Sequence, residues 1–552
     1  MRARPAGSRI ARVTAATAMV VVAGLGLASC APAADSESTL TFAVDGANLA
    51  SHMDPHATQL DIGALVQRAA FDSLVFQTAD GEFVPWLADG YEVSADDLTV
   101  TFTLREDVTF HDGEPFNADA VVANIEHVIA PDTASAQAAA SIGWDSENPD
   151  DGAFESVEAT DEYTVVFHFR RPFVSFLQGI ASTNLGMYSP VALAEHVGEL
   201  KTGGPGISVG TGPFVLSEMT PDQEIVYTAN PDYLWGPGGS TATTAPPAID
   251  RLVVRVVPEE AVRLGAFDAG DVDALGRVTP AGLEQITADA EVHATSLPGL
   301  PYSLYLNTKR GVFQDPLVRE AFSIGFDIDT PVEQIFFGQV QRAWSILAPT
   351  TPNSYDASLE GSWPYDPDAA GELLDEAGWT ERDADGYRVK DGVRLSAQWA
   401  SWTPVKDDNA ALADSIQNDL KAIGFELIRE PLEPAQYNER YATLDFDLTD
   451  WGFSGGDADI LRNHLHTAGF QNASAVSDPA LDTILEEAVA TSDPGVRQQL
   501  YTEVQQWNQE QVAIVPLYVP AVITVTSPRV TGLQFDIDGR PLFGTASIAP
   551  AS

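Results

Sequence analysis

Cysteine is almost absent. The 552-residue chain has one, Cys30, so no disulfide can form within it and its parts must be held by packing and polar contacts. Lysine is scarce as well: the five are Lys201, Lys309, Lys390, Lys406 and Lys421, and Lys and Arg together number 29 against 80 Asp and Glu. A formal charge of −51 with no basic run excludes a nucleic-acid binder, because such a surface repels a phosphate backbone. The acidity does not signal disorder, since 44% hydrophobic and 9% aromatic residues are close to the globular average. It describes the surface of a folded chain long enough for two to four domains. A hydrophobic run of membrane-spanning length is also missing; the apolar stretch from Ala15 to Leu27 is too short for a comfortable span.

What is there begins at that stretch. Arg2, Arg4, Arg9 and Arg12 precede it and small residues follow, the make-up of a secretory signal over residues 1–29. Leu27-Ala28-Ser29-Cys30 resembles the bacterial lipobox, which implies that Cys30 becomes the lipidated first residue of the mature chain. Two or three acyl chains give stable anchoring that one cannot. Residues 30–39, small and polar, read as a tether lifting the body off the outer face of the cytoplasmic membrane.

Both structural periods follow. Leu98, Val100, Phe102 and Leu104 alternate with threonines, and Tyr163, Val165, Phe167 and Phe169 repeat the pattern, predicting half-buried strands. Asp366-Pro367 caps a stripe of Ala370, Leu373, Leu374 and Ala377 that Gly378 can stop; Asp478-Pro479 precedes Leu481, Ile484, Leu485 and Ala488; Leu412, Ile416, Leu420 and Ile423 end at Gly424. The chain therefore mixes α and β, with more strand in the N-terminal half and more helix in the C-terminal half. Gly203–Gly206 and Gly236–Pro247 read as loops and Asp132–Asp151 as an irregular insertion; Leu297–Pro301 and Ile514–Pro516 read as crossings between lobes.

A family resemblance rests on longer stretches. Pro85-Trp86-Leu87-Ala88, Tyr91–Asp97, Leu98–Arg105 and Val108–Asp119 closely resemble the extended motif of the family 5 extracellular solute-binding proteins, the oligopeptide, dipeptide and nickel binders of ABC importers. Met53-Asp54-Pro55-His56, Val209–Phe214, Asn230–Trp235, Tyr305–Thr308, Asp315–Ala321, Tyr365–Pro367 and Asp478–Ala488 extend the likeness to about residues 40–540. The resemblance implies an α/β, two-lobed periplasmic-binding-protein clamp of type II, with an extra subdomain in lobe I. Lobe I would span 40–298, with the subdomain over about 65–205, lobe II 299–514, and the return to lobe I 515–552. A monomer closing on a peptide or peptide-like solute and presenting it to an ABC permease is the implied function, with no cofactor. A nickel or other metal chelate and a short oligosaccharide remain open as ligands of the same fold, and a sensory or adhesive lipoprotein as another use of it.

Within that resemblance, Asp450–Asp459 is the segment expected to set specificity. Relatives that bind peptides carry there an Asp that pairs with the ligand ammonium; its counterpart here is Ser454, a neutral hydroxyl, so Asp457 is a candidate substitute, with helix capping as the plain reading. Trp451, Tyr302 and Tyr305 are candidates to floor the cleft and Arg462 to meet a ligand carboxylate, against core packing and a surface helix position respectively. Two Gly-x-Ser-x-Gly matches, at 206–210 and 452–456, suggest a hydrolase, but Ser208 runs into helix-breaking Gly-Thr-Gly-Pro and Ser454 has no distant His downstream. Gly210-Thr211-Gly212 is a tight turn with no Gly-Lys-Ser/Thr after it. Among nine histidines only His464 and His466 are near neighbours, and their spacing points them apart, so no metal site is expected. No catalytic residue is expected either.

Overall fold

A computed structural model describes residues 38–550 apart from 47–48, 59–60, 132–135, 147 and 239–244. The expected export segment, Cys30 and all but the last two residues of the expected tether lie outside the described residues. No helix among the described residues is long and apolar enough to cross a membrane.

Alternation becomes strand where the side chains can bury on one face only. Thr99–Leu104 buries Val100, Phe102 and Leu104, Thr164–Phe169 buries Val165, Phe167 and Phe169, and the two pair antiparallel. They form the middle of a four-stranded sheet flanked by Ala88–Val93 and Phe154–Asp161. Phe102, Phe167 and Phe176 meet tilted or edge-on across its inner face, with Phe167 and Phe176 4.8 Å apart. Helix Ala118–Ile129 is capped by Asn117, whose side chain accepts from Ala120 N, and it buries Val121, Ile125 and Val128.

Two larger sheets organise the remainder. The first runs Glu291–Ser296, Ala521–Thr526, Ala274–Leu275, Thr39–Val44, Arg251–Val256, Glu224–Ala229, Phe214–Thr220. The second runs Gln341–Arg342, Ile514–Val519, Gly299–Leu306, Leu448–Ser454, Ser396–Trp402, Glu426–Leu432. In the second, Ser396–Trp402 and Glu426–Leu432 are parallel and need a crossover, which helix Asp407–Ile423 supplies. That helix buries Leu412, Ile416, Leu420 and Ile423, each contributing on the order of 1.5–3 kcal/mol. Gly424 then ends it at φ 89°, a left-handed cap that a side chain would strain. Asp366 and Asp478 cap Pro367–Glu376 and Pro479–Ala490 as the sequence suggests.

The two bodies are joined twice. Leu297 and Pro298 carry the chain from Glu291–Ser296 to Gly299–Leu306, and Pro520 carries it back from Ile514–Val519 to Ala521–Thr526. Leu297 N donates to Pro520 O (2.9 Å), so the crossings run side by side as one ribbon on which two rigid sheets can turn. The expected return at 515 thus falls inside a strand of the second sheet, and the passage is at Pro520. The sequence reading went astray because Ile514-Val515-Pro516 looks like a breaker; the Pro sits within the strand, opposite Ser303. The expected irregular insertion contains a helix, Ala136–Ser141, built from alanines.

Candidate functional site

Gly299–Leu306 and Leu448–Ser454 are antiparallel neighbours at the middle of the second sheet, with Ser303 opposite Trp451, Leu304 opposite Asp450 and Gly299 opposite Ser454. Gly299 is required there: its φ is 93°, and a Cβ would stand 2.6 Å from Phe453 O. Because side chains alternate along a strand, Asp450 and Trp451 open onto opposite faces.

On the first face, the Asp450 carboxylate accepts from Trp399 Nε1 (2.6 Å), Ser401 Oγ (2.6 Å) and the Tyr302 hydroxyl. Burial pushes this carboxyl above its ordinary range, and the three neutral donors oppose the rise without cancelling it. Tyr302 stacks on Tyr518 (5.1 Å), whose hydroxyl donates to Asn409 Oδ1 (2.7 Å). Tyr302 is half-buried.

The opposite face is aromatic. Trp451 lies 5.0 Å from Tyr305 and 5.3 Å from Tyr441, and Tyr305 lies 5.8 Å from His464. Tyr305 is fully buried, which makes it a core residue here and not a surface that a solute could touch. His464 is also fully buried, and desolvation drives its pKa down to about 3, so it is neutral. Trp451 Nε1, the Tyr305 hydroxyl and both His464 nitrogens have no hydrogen bond of good geometry among the described residues.

The strand's C-terminal end is where the two bodies touch. Ser454 Oγ donates to Asp538 of the returning chain, Asp538 pairs with Arg540 at 2.6 Å, and Arg540 stands 3.7 Å from Asp536. Burial raises the Asp536 carboxyl, with Arg540 pulling it down. Gln77 Nε2 donates to Gly456 O (2.9 Å), and Ser492 Oγ to Asp97 Oδ2 (2.8 Å). Asp457 is taken by Arg497 in a two-pronged pair (2.6 and 2.8 Å) and also accepts from Ser175 Oγ of the first body (3.3 Å). Burial raises its carboxyl, yet Arg497 and the hydrogen bonds bring it below the ordinary value. Arg462 is likewise spent on Asp459, held by Nε (2.9 Å) and NH2 (2.7 Å). Asp457 and Arg462 are therefore both engaged internally, Asp457 by Arg497, 40 positions away, and Arg462 by Asp459, the N-cap residue of its own helix, at i, i+3.

The motif residues of the first body converge on Asp72. Trp235 Nε1 (3.1 Å), Thr211 Oγ1 (3.1 Å) and the Tyr233 hydroxyl (3.5 Å) donate to it, which explains why Gly-Thr-Gly-Pro and Asn-Pro-Asp-Tyr-Leu-Trp occur together. Burial pushes Asp72 up to about 7. The sequence reading missed Asp450, Asp538 and Arg497. Asp450 had a signal, a lone acid within an apolar strand; Asp538 and Arg497 had none, lying 84 and 40 residues from their partners. Ser208 Oγ accepts from Gly204 N (3.2 Å) and Ser454 Oγ meets a carboxylate, so neither hydroxyl contacts an imidazole as a nucleophile would need.

Two sheet-centred bodies on a paired hinge, with aromatic and charged side chains where they meet, make a two-lobed α/β binding clamp. The chain belongs to the family described as bacterial extracellular solute-binding proteins, family 5 middle, whose profile matches residues 82–472. Members of that family are binding proteins that act outside the cytoplasm. Di/tripeptide-binding protein 2 of Pseudomonas aeruginosa (strain UCBPP-PA14) is 28% identical over 482 residues, 83% of this chain and 85% of that one. The nickel-binding periplasmic protein of Escherichia coli (strain K12) is 26% identical over 481 residues, 85% and 87% of the two chains. The crystal structure of NikA from Brucella suis in complex with Fe(III)-EDTA matches with TM-score 0.78 at 26% identity, covering 93% of this chain and all of that one.

Proposed function

We propose that the protein captures a short peptide or peptide-like solute between its lobes and delivers it to an ABC permease. In this reading it acts as a monomer without catalysis, tethered at the outer face of the cytoplasmic membrane by lipid on Cys30. One observation carries the peptide reading: the end of Leu448–Ser454 faces both an anion, Asp538, and a cation, Arg540, across the lobes. A zwitterionic solute offers an ammonium to Asp538 and a carboxylate to Arg540 in exchange for the ion pair that the two make with each other at 2.6 Å. The family's ammonium partner is missing at Ser454, and Asp538, reaching that hydroxyl from the other lobe, occupies its place. Closure then senses the ligand, because a solute that bridges Ser454 and Asp538 binds the closed form more tightly than the open one. Tyr302 is left to line the cleft from the Asp450 face, and main-chain hydrogen bonds to an extended peptide leave its side chains loosely specified.

Calorimetric titration with di- to pentapeptides, nickel-histidine and cello-oligomers tests the reading. The true ligand at a hundred times its Kd raises stability by about 2.7 kcal/mol. Asp538→Asn is expected to weaken a peptide with a free N-terminus by about 10–100-fold, the loss of a charge-assisted hydrogen bond, and to leave an N-acetylated peptide unchanged. Binding of nickel-histidine or cello-oligomers without any peptide overturns the peptide reading. Mass spectrometry of the mature N-terminal peptide tests lipid at Cys30.

A further inference from the structure

Away from the meeting of the lobes, three segments bring metal-ligating side chains together inside the first body. Asp54 and His56 lie in the loop between the helical turn Leu49–Ser51 and helix Asp61–Gln67, and His127 lies in the last turn of Ala118–Ile129. One ligand atom from each falls within 4.8 Å of the others, and all three residues are buried. We propose that Asp54, His56 and His127 bind one divalent transition cation, of which Zn2+ is the probe, as a structural fastener of lobe I.

His56 Nε2 lies 2.9 Å from Gly186 O, and a carbonyl can only accept, so Nε2 carries the proton and Nδ1 carries the lone pair. That Nδ1 is buried with no protein hydrogen bond. A histidine with one nitrogen tied to a backbone carbonyl and the other turned inward is the arrangement that metal-bound imidazoles adopt. Asp54 Oδ1 accepts from His56 N (3.0 Å), which leaves Oδ2 facing His127 Nε2 at 3.8 Å. Two ligands each about 2.1 Å from a tetrahedral zinc are about 3.4 Å apart, so small side-chain rotations close the site. Tyr188 stands beside the group: its ring is edge-on to His56 at 5.5 Å, and its buried hydroxyl has no hydrogen-bond partner among the described residues.

The surroundings are braced. Asn184 Nδ2 donates to Pro55 O and Thr58 O (both 2.9 Å), and Asn124 bridges Tyr188 N and O (both 2.8 Å), fixing the turn and the tyrosine against the helix. A cation here joins the turn, the helix and the strip 184–188. It would do so in a chain whose single cysteine excludes an internal disulfide.

Protein purified without chelator or histidine tag should carry about one equivalent of zinc by elemental analysis. The apo form should gain a Zn2+-dependent rise in Tm that EDTA reverses and that Mg2+ does not produce. His127→Arg places a cation opposite Asp54 and removes the ligand, so it should fold and lose the rise, with zinc affinity down by about tenfold or more. A wild-type protein without zinc and without the shift overturns the proposal, as does a shift that survives His127→Arg. Should that variant fail to fold, the Co2+-loaded wild type decides: intense tetrahedral visible bands support the site, and weak octahedral bands overturn it.

Discussion

Asp450, within the strand Leu448–Ser454, and Asp457, three residues past its end, are both half-buried, and their proton affinities move in opposite directions. Burial raises both. Asp450 meets only neutral donors, Trp399, Ser401 and Tyr302, and stays high; Asp457 meets the fork of Arg497 and falls low. A buried carboxylate is thus assigned by its partner and not by its depth. The first remains a polar feature of the sheet face that carries Tyr302. The second is consumed in fastening the helix of Arg497 to the segment after the strand and to Ser175 of the other lobe.

The comparison can be broken most forcefully at Arg497. Arg497→Met strands the Asp457 charge and is expected to cost about 3–5 kcal/mol in urea unfolding, a loss that Asp457→Asn in the same chain should partly relieve. Next in size is the response to pH. The depressed Asp457 contributes stability that is complete above its unfolded pKa near 4 and is lost as pH falls through the lower folded value. Raised acids act in reverse: Asp72 favours the fold below about pH 4, and that contribution is lost as pH rises toward about 7. Unfolding curves of Asp72→Asn should therefore lack a decline between pH 4 and 7 that the unaltered protein shows; identical profiles would refute the shift. Asp450→Asn should be milder, about 1 kcal/mol, because the amide oxygen still accepts from Trp399 and Ser401 while its NH2 donates to Tyr302. A cost equal to that of Arg497→Met would erase the contrast between the two acids. Smallest is Ser454→Ala, which removes one hydroxyl shared between the lobes and should weaken ligand affinity by about threefold.

Much of the framework was legible from residues because its causes are local. Period-two threonine strands, Asp-Pro caps and the stripe of Leu412, Ile416, Leu420 and Ile423 depend on neighbours within a turn or a pleat. The site was legible only as a segment. Ser454 marked a departure from the family's pattern, but that Asp538 answers it and that Arg497 claims Asp457 depend on which elements pack together, whereas Arg462 and Asp459 stand at i, i+3 and their pair is local. Tyr302 and Tyr305 looked equivalent as text; a register shift between Leu300 and Ser303 and the pleat send one to the Asp450 face and the other into the core.

By itself the order of amino acids determined that this chain is acidic, built of mixed strands and helices, and kin to the family 5 binders. Those properties are sums over composition or over contacts a few residues long. Tertiary structure alone decided where the hinge returns, at Pro520, which acids keep a free charge, and that Asp54, His56 and His127 share one buried space. Such pairings join residues tens to hundreds of positions apart, and electrostatic energy depends on separation in space and on the surrounding dielectric, neither of which sequence distance records.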